Sequence, residues 1–234
     1  GTQTYTGAAT LTAASSLTTT SNGNISFGGA ISGSAQNLTL DTGLTSGTIS
    51  VTGAVGSGAA LGTITISKSA GTTFSSTVNA ATIALTDSKV STAVTFSDSV
   101  TATTGLTVGA GTAAYNVIFN GASNTIAGAT TFANTGTLTL GNGGDTIAFT
   151  GGVIANAPSG INLNGTITAA GTGVITLGDW SSVSVTGDST VGGTSTGQIT
   201  LGAATLADGV TLTVGGGSYA APISLSSVTG TASG

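Results

Sequence analysis

A three-residue pattern, two apolar residues around a small or polar one, recurs along the whole chain. It reads "ISF" at 25, "LTL" at 38, "ISV" at 49, "ITI" at 64, "IAL" at 83, "VTF" at 94 and "LTV" at 106. It continues as "VIF" at 117, "LTL" at 138, "IAF" at 147, "INL" at 161, "ITL" at 175, "VSV" at 183, "ITL" at 199, "LTV" at 212 and "ISL" at 223. Successive side chains of a strand point to opposite sides, so each triplet is a short strand with its outer residues on one face. Thr or Ser fills most of the middle positions, among them Thr39, Ser50, Thr65, Thr95, Thr107, Thr139, Thr176, Ser184, Thr200, Thr213 and Ser224. One side of every strand is therefore apolar and the other carries hydroxyls, a buried and a wet face.

The spacing selects the architecture. Every second triplet often follows its counterpart at a nearly constant offset, as from 83 to 106, 94 to 117, 138 to 161, 161 to 183, 175 to 199 and 199 to 223. A repeat of about 20 to 25 residues is the length of one coil of a parallel β-solenoid, with two or three short strands between corners. Gly, Asn, Asp and Ser supply those corners. With like side chains stacked at about 4.8 Å per coil, the 234 residues make roughly ten coils and a rod of roughly 50 Å. The competing architecture is a hairpin sandwich or barrel, kept in view by "NG" pairs at 22, 120, 142 and 164, a favoured hairpin turn. Sandwiches carry more charge on their wet faces and more aromatics inside than the 4% of each found here, so the solenoid is expected.

Composition narrows the function. A hydrophobic content of 38% and a mean hydropathy of +0.45 oppose disorder despite 40 glycines. No apolar run approaches the ~18 residues of a membrane span, so no membrane insertion is expected of this segment. The net charge is −5 and the only cations are Lys68 and Lys89, both read as solvated, so phosphate backbones find no counter-charge and nucleic acid is not an expected partner. Without Cys there are no disulfides and no thiol chemistry, which leaves export open. Gly1 follows no charged and apolar leader, so a signal peptide is taken to be removed or upstream, and the chain reads as part of something longer.

Three stretches carry a family likeness: residues 1–43, beginning "GTQTYTGAATLTAASSLTTT"; residues 71–87, "GTTFSSTVNAATIALTD"; and residues 205–217, "TLADGVTLTVGGG". They resemble the recurring units of filamentous-haemagglutinin-like and giant autotransporter-like bacterial surface proteins, and the likeness runs through essentially the whole chain. The resemblance implies an all-β, right-handed parallel β-helix (β-solenoid), secreted and displayed at the extracellular bacterial cell surface as a fibre or adhesin. It also implies a host or cell-surface glycan or protein as partner. The secretion domain or membrane barrel typical of such families is not seen in these residues.

Catalytic parts are scarce. His, Cys, Glu and Arg are absent, and the seven acids are Asp41, Asp87, Asp98, Asp145, Asp179, Asp188 and Asp208. The closest pairs, Asp87 with Asp98 and Asp179 with Asp188, are about half a coil apart and belong on different faces; these Asp are expected to cap turns through their own backbone N–H groups. A glycan-degrading enzyme is accordingly an alternative and not the expectation. "GNGGD", ending at Asp145, matches half of a calcium-binding β-roll repeat and makes Asp145 the candidate metal ligand. A calcium roll shares each ion between tandem copies, and none lies nine residues to either side, so the segment is expected to be a left-handed glycine corner without metal or cofactor. Glycine pairs at 109 and 171 lack the following helix that a phosphate loop needs.

Trp180, the only tryptophan, is either a corner platform for a sugar ring or, as expected here, packed over a strand end. Phe27, Phe74, Phe96, Phe119, Phe132 and Phe149 belong to the core. A second alternative, an ice- or crystal-surface binder, draws on "TLT" and "TIT" triplets at 10, 63, 137, 166 and 211, whose separations fit no common coil. At the ends, residues 1–20 and 216–234 read as further coil without a cap beyond Pro222. Axial self-association, or mating with neighbouring repeats, is therefore expected.

Overall fold

The computed structural model describes residues 1–20, 22–216 and 219–231. It is a parallel β-solenoid of about ten coils with three faces. The first coil defines them: Gln3–Tyr5 opens the first face, Ala9–Thr10 the second and Ser15–Thr18 the third. Every strand pairing among the described residues is parallel, which removes the hairpin alternative. The "NG" pairs at 120 and 142 lie at corners between the first and second faces instead of closing hairpins.

Register turns the triplets into files. On the first face Val94 pairs with Val117, Val117 with Leu138, Leu138 with Ile161 and Ile161 with Val183. On the third face Val153, Ile175, Ile199 and Ile223 stack in sequence. Leu138, Leu140, Ile175, Leu177, Ile199 and Leu201 are all buried, as the triplet alternation requires. The six phenylalanines are buried too, and Phe74, Phe96 and Phe119 form a parallel ring stack with centroids 5.2 and 4.9 Å apart. Phe132 meets Phe119 and Phe149 edge-on. Each such side chain contributes about 1.5–3 kcal/mol by leaving water.

Coil length is not constant. The coil that carries Leu38 to its partner Ile64 is markedly longer than the next, which carries Ile64 to Ile83. Corners absorb much of the difference: seven residues separate Asp41 from Ile49, and three separate Lys68 from Thr72. Corner backbone groups must still find partners when buried, and side chains of the adjacent coil supply many of them. Asn24 Oδ1 accepts from Thr48 N–H at 2.9 Å, Asn37 Oδ1 from Thr63 N–H at 2.7 Å, and Asn116 Oδ1 from Thr137 N–H at 2.8 Å.

Candidate functional site

Five of the seven acids cap corners, in two ways; the carboxylates of Asp179 and Asp208 cap no N–H group among the described residues, against expectation. Asp41, Asp98 and Asp145 cap their own corners, accepting from the N–H groups of Gly43 (2.9 Å), Ser99 (2.6 Å) and Asn142 (2.7 Å). Asp87 and Asp188 instead cap the next coil, accepting from Thr112 N–H at 3.1 Å and Thr211 N–H at 2.8 Å. The expectation of purely local capping is corrected for these two: parallel stacking brings the following corner within reach, which no local pattern reveals. Asp87 and Asp98 occupy different corners, as do Asp179 and Asp188, and no cluster of three metal-ligating side chains occurs among the described residues.

The "GNGGD" segment lies inside the long strand Thr137–Phe149, between its first-face and second-face halves. Leu140 pairs with Leu163 and Asp145 with Gly165, so five steps on one coil face two on the next, and three residues bulge outward. Gly141, Gly143 and Gly144 take φ of 86°, 135° and 72°, the left-handed conformations that glycine adopts without strain. The Asp145 carboxylate is buried against this loop and holds it through Asn142.

Trp180 departs from expectation. It is 85% exposed and packs over no strand end. Gly178–Asp179–Trp180–Ser181 forms a turn closed by Ser181 N–H donating to Gly178 C=O at 3.1 Å, which places Trp180 near its tip. Gly178 N–H donates to Ala155 C=O of the coil before at 3.0 Å, and Gly178 has φ +67°. On the other side lies Gly202, where a Cβ would collide with the Gly178 carbonyl oxygen. The turn is wider than its successor: Leu177 to Val183 takes six steps, while the paired Leu201 to Ala204 takes three.

Two buried polar groupings escaped the sequence. Ser69, Ser88, Thr72 and Thr92 join hydroxyls within the stack, with Thr72 Oγ1 donating to Ser69 Oγ at 2.9 Å and the Ser88 and Thr92 hydroxyls 3.0 Å apart. Nearby in sequence, the buried Tyr115 donates its phenol proton to Gly109 C=O at 2.6 Å. Burial first, and the Asp87 carboxylate second, push the Tyr115 phenol well above its ordinary range. The phenol stays protonated, holding a corner. Lys89 is exposed and donates to Thr45 C=O at 2.8 Å; Lys68 is exposed as well. A recess of about 230 Å³ on the second face, lined by residues including Ala148, Thr168, Gly193 and Thr194, carries no charged group.

The end strands differ from those between them. Ile223–Gly230 pairs with Ile199–Leu206 on one side, and no strand among the described residues covers its other edge. Ile223, Leu225 and Val228 are 43%, 43% and 48% exposed, whereas their partners Ile199, Leu201 and Ala204 are buried. At the opposite end Gln3–Tyr5 pairs, among the described residues, with Ile25–Phe27 alone, and the Tyr5 ring stacks on Phe27 at 4.7 Å while 38% exposed. Of the C-terminal stretch expected to continue as coil, residues 217–218 and 232–234 lie outside the described residues. Comparison with known protein families, with characterised proteins and with solved structures yields no match to this chain.

Proposed function

We propose that this chain is a structural, non-enzymatic length of a secreted bacterial cell-surface fibre or adhesin, stacked axially on further solenoid. The observation that carries this is the open edge at Ile223–Gly230, an eight-residue strand with three half-exposed apolar residues. Unpaired strand edges template further pairing unless they are covered or carry charge. Here the outermost strand offers Leu and Val in the register of the buried files beneath. The sequence resemblance to filamentous-haemagglutinin-like surface proteins supports the extracellular, fibrous setting.

Sedimentation velocity and negative-stain microscopy of residues 1–234 test it. End-to-end rods are expected, and Leu225→Lys with Val228→Lys should return them to monomers. A wild-type chain that stays monomeric at high concentration overturns the proposal, and turnover of any member of a polysaccharide panel overturns its non-enzymatic part. One feature favours a second reading, an ice- or crystal-surface binder. Although the "TLT" and "TIT" triplets share no period, register gathers Thr73 and Thr95, and further along Ser184 and Thr205, into one outward file of the first face. Ile118 and Asn162 interrupt that file, and ice-crystal shaping below 0 °C decides between the readings.

A further inference from the structure

Among the large aromatic side chains, Trp180 is the one that solvent surrounds. The phenylalanines are all in the core, as is Tyr115, and Tyr5 stacks on Phe27. Burying an indole would stabilise the fold, as for other large apolar side chains, yet this one projects from a turn that is anchored on both sides. Gly178 is tied to Ala155 of one adjacent coil, Ser181 N–H closes the turn, and the absent side chain of Gly202 lets the turn root seat against the other adjacent coil. An anchored turn has little backbone entropy left to lose on binding, which favours useful affinity from a small contact.

We propose that this turn is a docking platform for a neutral glycan, the indole of Trp180 stacking on the apolar face of one pyranose ring while the exposed Asp179 carboxylate accepts hydrogen bonds from its hydroxyls. Size and charge fix the ligand class. Asp179 and Ser182 beside the ring are exposed and polar, and the nearest exposed apolar side chains, Ile154 and Val174, are isolated residues of the third face, so the apolar contact falls far short of a protein interface. A stable protein interface needs about 800 Å² per partner around such an anchor; a single sugar needs one ring face. The only cations, Lys68 and Lys89, lie at least four strands down the third-face stack, roughly 19 Å at ordinary strand spacing. Nothing near the turn offsets a sulfate, phosphate or uronate, and the Asp179 carboxylate repels them. The site deepens the adhesin proposal and rests on it for its biological setting.

Because Trp180 is the sole tryptophan, its fluorescence reports this site alone. The probes are neutral oligosaccharides built on glucose, galactose, mannose and N-acetylglucosamine, with a sulfated polysaccharide as the charged counterpart. The free protein should emit as a water-exposed indole, and at least one neutral oligosaccharide should shift and quench that emission saturably. Trp180→Ala should weaken binding of that oligosaccharide, followed by calorimetry, by about tenfold or more, a factor that corresponds to about 1.4 kcal/mol. Its melting temperature should not change, since the ring packs on nothing. Trp180→Phe should recover part of the affinity. The idea fails if free-protein emission is that of a buried indole, if no neutral oligosaccharide responds, or if only the sulfated polymer binds. It fails equally if Trp180→Ala binds as well as wild type, or if the emission shifts with protein concentration alone, which would make the turn a contact between copies. Axial rods formed by Trp180→Ala would show the fibre proposal standing independently of this one.

Discussion

Phe96→Ala removes the middle ring of the Phe74–Phe96–Phe119 stack. The side chain is fully buried, with ring centroids at 5.2 Å on one side and 4.9 Å on the other and planes within 16° of parallel. Truncating a buried Phe to Ala costs about 3–5 kcal/mol through lost transfer energy and the cavity left behind. Each stacked pair adds about 0.5–1.5 kcal/mol beyond area, and two pairs are lost here, so the upper end, about 5 kcal/mol, is expected. The neighbour Thr95 belongs to the same strand but points outward, and Thr95→Ala should cost below about 1 kcal/mol. Urea unfolding followed by far-ultraviolet circular dichroism measures both. Hydrogen exchange then locates the damage: in a stack where each coil touches only its neighbours, the amides of Phe74, Phe96 and Phe119 should lose protection while those of Ile161 and Leu163 keep theirs. A loss under about 1 kcal/mol from Phe96→Ala, or an equal loss from Thr95→Ala, would refute the assignment of stability to the inward files.

Gly202→Ala forces a Cβ into the Gly178 carbonyl and should destabilise by about 2 kcal/mol or more while loosening the Trp180 turn, seen as increased proteolysis there; Gly160→Ala, whose Cβ would meet only Ser182 at ordinary contact distance, should be neutral within about 1 kcal/mol. Chelator should leave the melting temperature unchanged within about 2 °C, because Asp145 is engaged by its own loop, and a loss restored by calcium would contradict this. Stability should fall above about pH 10: the unfolded Tyr115 phenol releases its proton there while the folded one, raised by burial, retains it, so the unfolded state binds fewer protons and gains as pH rises. Denaturation midpoints at pH 8 and pH 11 measure that limb, and Tyr115→Phe should flatten it while losing about 1 kcal/mol at neutral pH with the hydrogen bond to Gly109.

The parallel solenoid, its coil length of about 20 to 25 residues, and the inward places of Leu138, Ile175 and the six phenylalanines follow from local alternation and its recurrence. Period-2 patterning is a property of three neighbouring residues, and equal side chains repeated once per coil stack wherever the coils are parallel. The corners are different. Whether Leu177 to Val183 loops out or Leu201 to Ala204 cuts straight across depends on how one coil seats on the next, as does the pairing of Leu38 with Ile64 across an unusually long coil. That is why Trp180, expected to pack, stands in solvent, and why Asp87 and Asp188 hold N–H groups of the following coil. The sequence by itself determined which side chains face inward, because that choice is made within each strand. Only the tertiary structure decided what the corners present, because a corner's shape is set by neighbours that lie a whole coil away along the chain.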